Sequence, residues 1–329
     1  MRRTTLLSLT LILLAVVYSS AFGQPSSNEQ ALKLRTDLVN VGILAKQKKT
    51  GRIISDLTKD DFTIFEDGVR QTVSHFHQEK LPLSIILLVD RAGCINAFND
   101  QIRAATIKAF GDLKPEDEVA IMTFSNKVAL AQAFTRDRQS ITDKIMAVER
   151  QHRSEQHYFN AGIHEAASYM SKAANPAGRR AIIVLTSLEA SIDFSRISEK
   201  KALEAVLESG AIVSGVLVKT IGGRIEQGIR GKPTSILRHI GLRSGSLKMF
   251  VEETGGELIN AEPEKMEETL TRIVSHIASS YSLAYLPTNS ARDGKRRKIK
   301  VQLSPEIEKR EGQTVLITRR SYIMSKDAN

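Results

Sequence analysis

The 329-residue sequence has no tryptophan, one cysteine, eight prolines and only 5% aromatic residues. Each scarcity closes off a class of protein. A lone cysteine, Cys94, cannot form an internal disulfide, so the fold must rest on a packed apolar core. The valine, isoleucine and leucine content is enough to build one. Aromatic rings are too few to stack successive bases, so the formal charge of +10 does not read as a nucleic-acid surface. The densest basic cluster, Asp293 to Lys300 (DGKRRKIK), reads as a solvated hairpin turn. Catalytic signatures are missing too. GLRSG (241–245) fails the nucleophile spacing, GIRGKPTS (228–235) does not complete a phosphate loop, and HEAAS (164–168) lacks the second histidine of a zinc protease. The chain is therefore expected not to be an enzyme. A cell-envelope hydrolase using Cys94 is the remaining enzymatic alternative.

Long apolar runs are absent apart from one. Arg2 and Arg3 precede an apolar stretch from Leu6 to Tyr18, and the small residues SSAFG follow. This is the layout of a secretory signal peptide, residues 1–23, cleaved after Gly23. The run falls short of the about 20 residues that span a bilayer. The expectation is an exported chain, periplasmic or extracellular, with no membrane span once processed.

Residues 24–34 read as a polar leader. Over 35–78, apolar residues alternate around the turn signals KKTGR and EDGVR, which predicts a small antiparallel β unit. At Leu83 the rhythm changes. LSIILLV, VAIMTF, RRAIIVLTS and AIVSGVLV are continuous apolar runs, the mark of strands buried on both faces. Helical patterns separate them, and KVALAQAF reads as an edge strand. The fold class over 82–280 is α/β, a doubly wound and mostly parallel sheet with helices on both faces. A Gly-rich basic insert, 220–245, exceeds an ordinary connection. After Tyr281 come three strands, YSLAYLP, RRKIKVQLS and TVLITRRSYI, with no helix between them. Residues 281–329 are expected to pair with 35–78 in a β-sandwich.

The order IILLVD, KPEDEVAIMTFS, RRAIIVLTS resembles the von Willebrand factor type A (vWA) domain. With LTKDDFTIFEDGVRQTVSHF before it and YSLAYLP after it, the whole chain resembles the exported VWFA-related acidobacterial domain proteins. The resemblance implies a metal-ion-dependent adhesion site above the sheet, built from DxSxS, a Thr ahead of the third helix, and the Asp of a TDG-like strand end. Asp90 matches the first Asp. Arg91 follows it, Ala92 and Cys94 replace the two serines, Gln156 falls near the Thr, and Ser187 replaces the last Asp.

Such a set is poor for Mg²⁺, which wants six oxygens in near-octahedral array. Cys94 offers a soft sulfur instead, and Arg91 brings a charge that repels a dication. The expectation is a degenerate, metal-free site with no cofactor, Mg²⁺ or Mn²⁺ being the alternative. A zinc set of Asp90, Cys94 and His152 or His157 is a further possibility, set against the reading that lone loop histidines are solvated. The acidic run Glu116–Glu118 reads as a structural loop in which Asp117 accepts backbone hydrogen bonds. The function expected is an interaction module for a protein partner, an acidic one given the arginines near the rim.

Overall fold

A computed structural model describes residues 38–78, 81–91, 100–148, 156–175, 178–187, 190–193, 195–218 and 244–324. The segments 1–23 and 24–34, and nearly all of the 220–245 insert, lie outside these.

The first strands are β1 (Val39–Gln47), β2 (Phe62–Glu66), β3 (Val69–Gln71) and β4 (Val73–His77). The α/β region follows with β5 (Leu83–Asp90), α1 (Asp100–Gly111), β6 (Glu118–Phe124), β7 (Val128–Thr135), α2 (Arg138–Ala147) and α3 (Phe159–Tyr169). It continues with β8 (Arg179–Thr186), β9 (Ala190–Ile192), α4 (Glu199–Ser209), β10 (Ile212–Val218) and β11 (Ser244–Ser246). It closes with α5 (Leu247–Thr254), β12 (Leu258–Ala261) and α6 (Met266–Ser279). The chain then runs through β13 (Tyr281–Tyr285), β14 (Arg296–Leu303), α7 (Pro305–Glu311), β15 (Thr314–Thr318) and β16 (Ser321–Ile323).

The central sheet has the order β12-β10-β8-β5-β6-β7. Its pairings are parallel except β6 with β7, which is antiparallel; β7 is the edge strand expected of KVALAQAF. The continuous apolar run of β5 is explained by its two faces. Leu83, Ile85, Leu87 and Val89 pack with Ile102 and Phe110 of α1, Ile141 of α2 and Ile273 of α6. Ile86 and Leu88 pack on the other side with Phe159 and Ile163 of α3, Val206 of α4 and Phe250 of α5. Alternate residues thus feed two separate cores, and each large side chain so buried contributes roughly 1.5–3 kcal/mol.

The remaining strands form two four-stranded antiparallel sheets, β15-β1-β13-β4 and β16-β14-β2-β3. Val41 and Ile43 of β1, Ile64 of β2, Leu283 of β13 and Ile299 of β14 share one apolar core. Segments from both ends of the described chain therefore build one sandwich. The chain passes from one sheet to the other at Thr72, between β3 and β4, and again at Arg319–Arg320, between β15 and β16. Corners of this kind join the edge strands of the two sheets through continuous chain. The alternation RRKIK puts Arg297 and Ile299 inside and Lys298 and Lys300 outside.

Two expectations fail here. A helix does interrupt the C-terminal strands: α7 follows Ser304, has Pro305 at its first position and ends at Gly312 with φ of 78°. Those are strong start and stop signals for so short a segment. TVLITRRSYI is also not one strand but two, in different sheets.

The α/β region is inserted between β4 and β13, which pair directly, His77 opposite Ser282. At this joint Lys46 Nζ donates to Glu257 Oε1 at 2.8 Å, and His276 Nδ1 binds the other oxygen of the same carboxylate. Burial alone would raise the Glu257 pKa, but these two partners outweigh it and hold the carboxyl down at about 2. No helix among the described residues is long and apolar enough to cross a membrane.

Candidate functional site

Asp90 ends β5 at the carboxyl edge of the parallel sheet, where open α/β folds place their sites. It is 1% exposed. Its Oδ2 accepts a hydrogen bond from Thr186 Oγ1 at 2.8 Å. Thr186 ends the neighbouring strand β8. The same oxygen lies 2.7 Å from His157 Nδ1. A carboxylate only accepts, so Nδ1 carries the hydrogen.

His157 stands two residues ahead of α3 and is held there by its neighbours. The Tyr158 N–H donates to the Ser125 carbonyl at 2.9 Å, which ties this segment to the end of β6. The imidazole stacks near-parallel on Phe159, with centroids 6.3 Å apart and planes 17° apart. Phe159 in turn meets Phe124, the last residue of β6, at 5.3 Å. Arg91 N–H donates to the Phe124 carbonyl at 2.7 Å, fixing the first step beyond β5. Asp193 adds a further tie: its Oδ2 accepts from the Asn160 N–H at 2.6 Å in the first turn of α3. A carboxylate there satisfies an N–H that the helix itself cannot pair.

The residues singled out from sequence fall as follows. Asp90 and Ser187 sit at the ends of adjacent strands β5 and β8, and both are buried. Ser187 Oγ is buried without a hydrogen-bond partner among the described residues. Arg91 is half-buried. Gln156 is exposed, and its Oε1 accepts from the Tyr158 hydroxyl at 3.0 Å. Among the described residues of this loop, it is the next one, His157, whose side chain reaches Asp90. Ala92, Cys94 and His152 lie outside the described residues.

From sequence, His157 was weighed as a zinc ligand beside Asp90 and set against the reading of a solvated loop residue. It is instead 3% exposed and paired with an acid 67 positions away. Thr186 was placed only as the first residue of the TDG-like strand end, with no role given to it. Nothing local marks either residue; the contact exists only once β5, β8 and α3 are assembled.

The acidic run 116–118 serves the opposite end of the sheet. Asp117 accepts from the N–H groups of Leu83 at 2.7 Å and Lys114 at 2.9 Å. Glu118 Oε1 accepts from Ser84 Oγ and from Ala174 N, each at 2.7 Å. These carboxylates are strand-end fasteners, in keeping with the structural reading of Asp117.

At Asp90, Oδ2 already accepts from two donors, Thr186 Oγ1 and His157 Nδ1, and Ser187 stands where the resemblance puts the last Asp. Among the described residues, no group of three or more His, Cys, Asp or Glu side chains is placed to hold a metal ion.

Comparison with known proteins gives a family match over part of the chain. Residues 85–189 match the sequence profile of the von Willebrand factor type A domain. A search of curated proteins found no match. Similar solved structures include an aerotolerance-related membrane protein from Bacteroides fragilis, 15% identical, covering 59% of this chain and 98% of its own, with a TM-score of 0.43. BatB from Bacteroides thetaiotaomicron is also 15% identical, covering 60% and 98%, with a TM-score of 0.44. Proximal thread matrix protein 1 from the mussel byssus, in a form with a zinc-occupied MIDAS motif, is 14% identical, covering 64% and 48%, with a TM-score of 0.44. On the profile match and the parallel sheet it falls on, the chain carries a von Willebrand factor type A domain.

Proposed function

We propose that the chain is an exported, non-catalytic protein-interaction module whose vWA domain recognises its partner without a bound metal. The recognition surface is the rim above the carboxyl ends of β5, β6 and β8, and an acidic partner suits it through Arg91. One observation carries this reading: the Asp90 carboxylate is engaged from inside the protein by Thr186 and His157. A metal-dependent site needs that carboxylate for the ion. Export rests on the sequence of residues 1–23.

Calorimetric titration of the chain with Mg²⁺ and Mn²⁺ tests the central point. Absence of saturable heat is the expected result. Saturable heat means that the metal-dependent adhesion module is the correct description. Replacing Cys94 with alanine tests the hydrolase alternative, since only that alternative ties a function to the thiol. Capture of the partner on immobilised chain is expected to survive chelator and to weaken with salt and in Arg91→Glu.

A further inference from the structure

We infer that His157 occupies the place of the ion: its imidazole N–H is a built-in substitute for a cation and is what keeps dications out of the site. This rests on the metal-independent reading above and deepens it, by naming the group responsible.

The argument begins with lone pairs. A carboxylate oxygen has two good acceptor positions. On Asp90 Oδ2 they are taken by Thr186 Oγ1 at 2.8 Å and His157 Nδ1 at 2.7 Å. An ion binding this oxygen would have to displace one of them. A hydroxyl can turn toward a metal and donate its oxygen, so Thr186 is no obstacle. A ring N–H cannot, because it offers hydrogen where a cation needs a lone pair.

Displacing His157 is costly for a second reason. The side chain is 4% exposed, packs on Phe159, and is followed at once by the Tyr158 N–H bonded to Ser125. It cannot rotate into water without breaking that packing.

Ser187 supplies independent support. Its hydroxyl oxygen is buried at the end of β8, one residue beyond Thr186, with no partner among the described residues. Unpaired buried hydroxyls are rare and costly. Such an atom fits a polar site in which the imidazole does not reach every position that an ion would hold.

The test compares three chains: the wild type, Ser187→Asp, and His157→Ala with Ser187→Asp. Mn²⁺ binding is measured by calorimetry and by the rise in unfolding temperature on adding the ion. The double variant is expected to bind Mn²⁺ at least about tenfold more tightly than Ser187→Asp, and the wild type not at all. Equal affinities in the two variants, or a folded double variant that does not bind, would overturn the role given to His157 and leave metal independence standing. Binding by the wild type would overturn both.

A measurement on the wild type decides the matter if the double variant does not fold. The ring nitrogen resonances of His157 are followed by NMR on addition of millimolar Mg²⁺. No change is expected; a saturable shift would sink the inference.

Discussion

Arg179, the first residue of β8, donates through Nη1 to the carbonyl of Ile277 in the last turn of α6 at 3.0 Å. The same nitrogen reaches the Ala278 carbonyl at 2.5 Å, and Nη2 donates to Ser280. One buried guanidinium thus closes the end of α6 exactly where the chain leaves the α/β region for β13. Burial is the cause that draws its pKa down, to about 10. Arg179→Met should therefore cost about 2–4 kcal/mol, read from urea unfolding, because several carbonyls lose their donor at once. Lysine should restore only part of this, since an ammonium cannot fork across successive carbonyls.

Glu257 predicts an acid-sensitive joint. Its carboxyl is held at about 2, below its value in the unfolded chain. Stability from a lowered carboxyl pKa is fully present above the unfolded value and is lost as pH falls through the folded one. The stability difference between the wild type and Glu257→Gln should be constant near neutrality and shrink from about pH 4.5 toward about pH 2. Urea midpoints measured across that window check this. A difference that does not change with pH would mean the pair with Lys46 and His276 contributes nothing.

Glu66 is the polar hub of the sandwich. Its Oε2 accepts from the hydroxyls of Tyr285 and Tyr322, each at 2.8 Å, and Arg297 Nη1 lies 3.3 Å from Oε1. Glu66→Ala leaves a buried guanidinium and two phenols without this partner, and should cost about 3–5 kcal/mol. Tyr322→Phe removes a single bond and should cost about 1 kcal/mol. Burial first, and the bond to Glu66 second, raise both phenol pKa values above the ordinary 10.0. A raised phenol pKa gives stability that is present below the unfolded value and lost above it. The near-ultraviolet tyrosinate signal should therefore show part of the phenols ionising only with alkaline unfolding.

Gly256 predicts a steric failure. A Cβ there would overlap the Val213 carbonyl oxygen, so α5 and β10 could not keep their approach. Gly256→Ala should cost about 3 kcal/mol by thermal or urea unfolding. Gly312→Asn offers a contrast. Gly312 differs in kind: its φ is 78°, in the range L residues rarely adopt, but its Cβ would meet open space. Strain without a clash should cost less.

The α/β sheet was legible because period and burial agree: β5, β6 and β8 are apolar on both faces and their helices punctuate them. The exposed face of β14 was legible from Lys298 and Lys300, whereas the pairing of 35–78 with 281–329 was inferred only from where the two segments stand in the chain. Helix α7 was missed although Ser304, Pro305 and Gly312 marked its ends, because the flanking strand patterns dominated so short a segment. The site was only half legible. Asp90 is marked by its position at a strand end. His157 carries no such mark, since its meaning comes from an acid far away in sequence and from the packing of Phe159 and Phe124. A residue-by-residue transfer from the family pattern pointed one place short, to Gln156.

The direct pairing of His77 with Ser282 bears on how the chain acquires its structure. Joining these strands first would close a loop of roughly 200 disordered residues, and the entropic penalty of closure grows with loop length. If the intervening sheet has already condensed, its two ends emerge close together and that penalty is largely removed. The order of events written into this topology is therefore inside out: the parallel sheet matures first, and the flanking strands zip around its stem last.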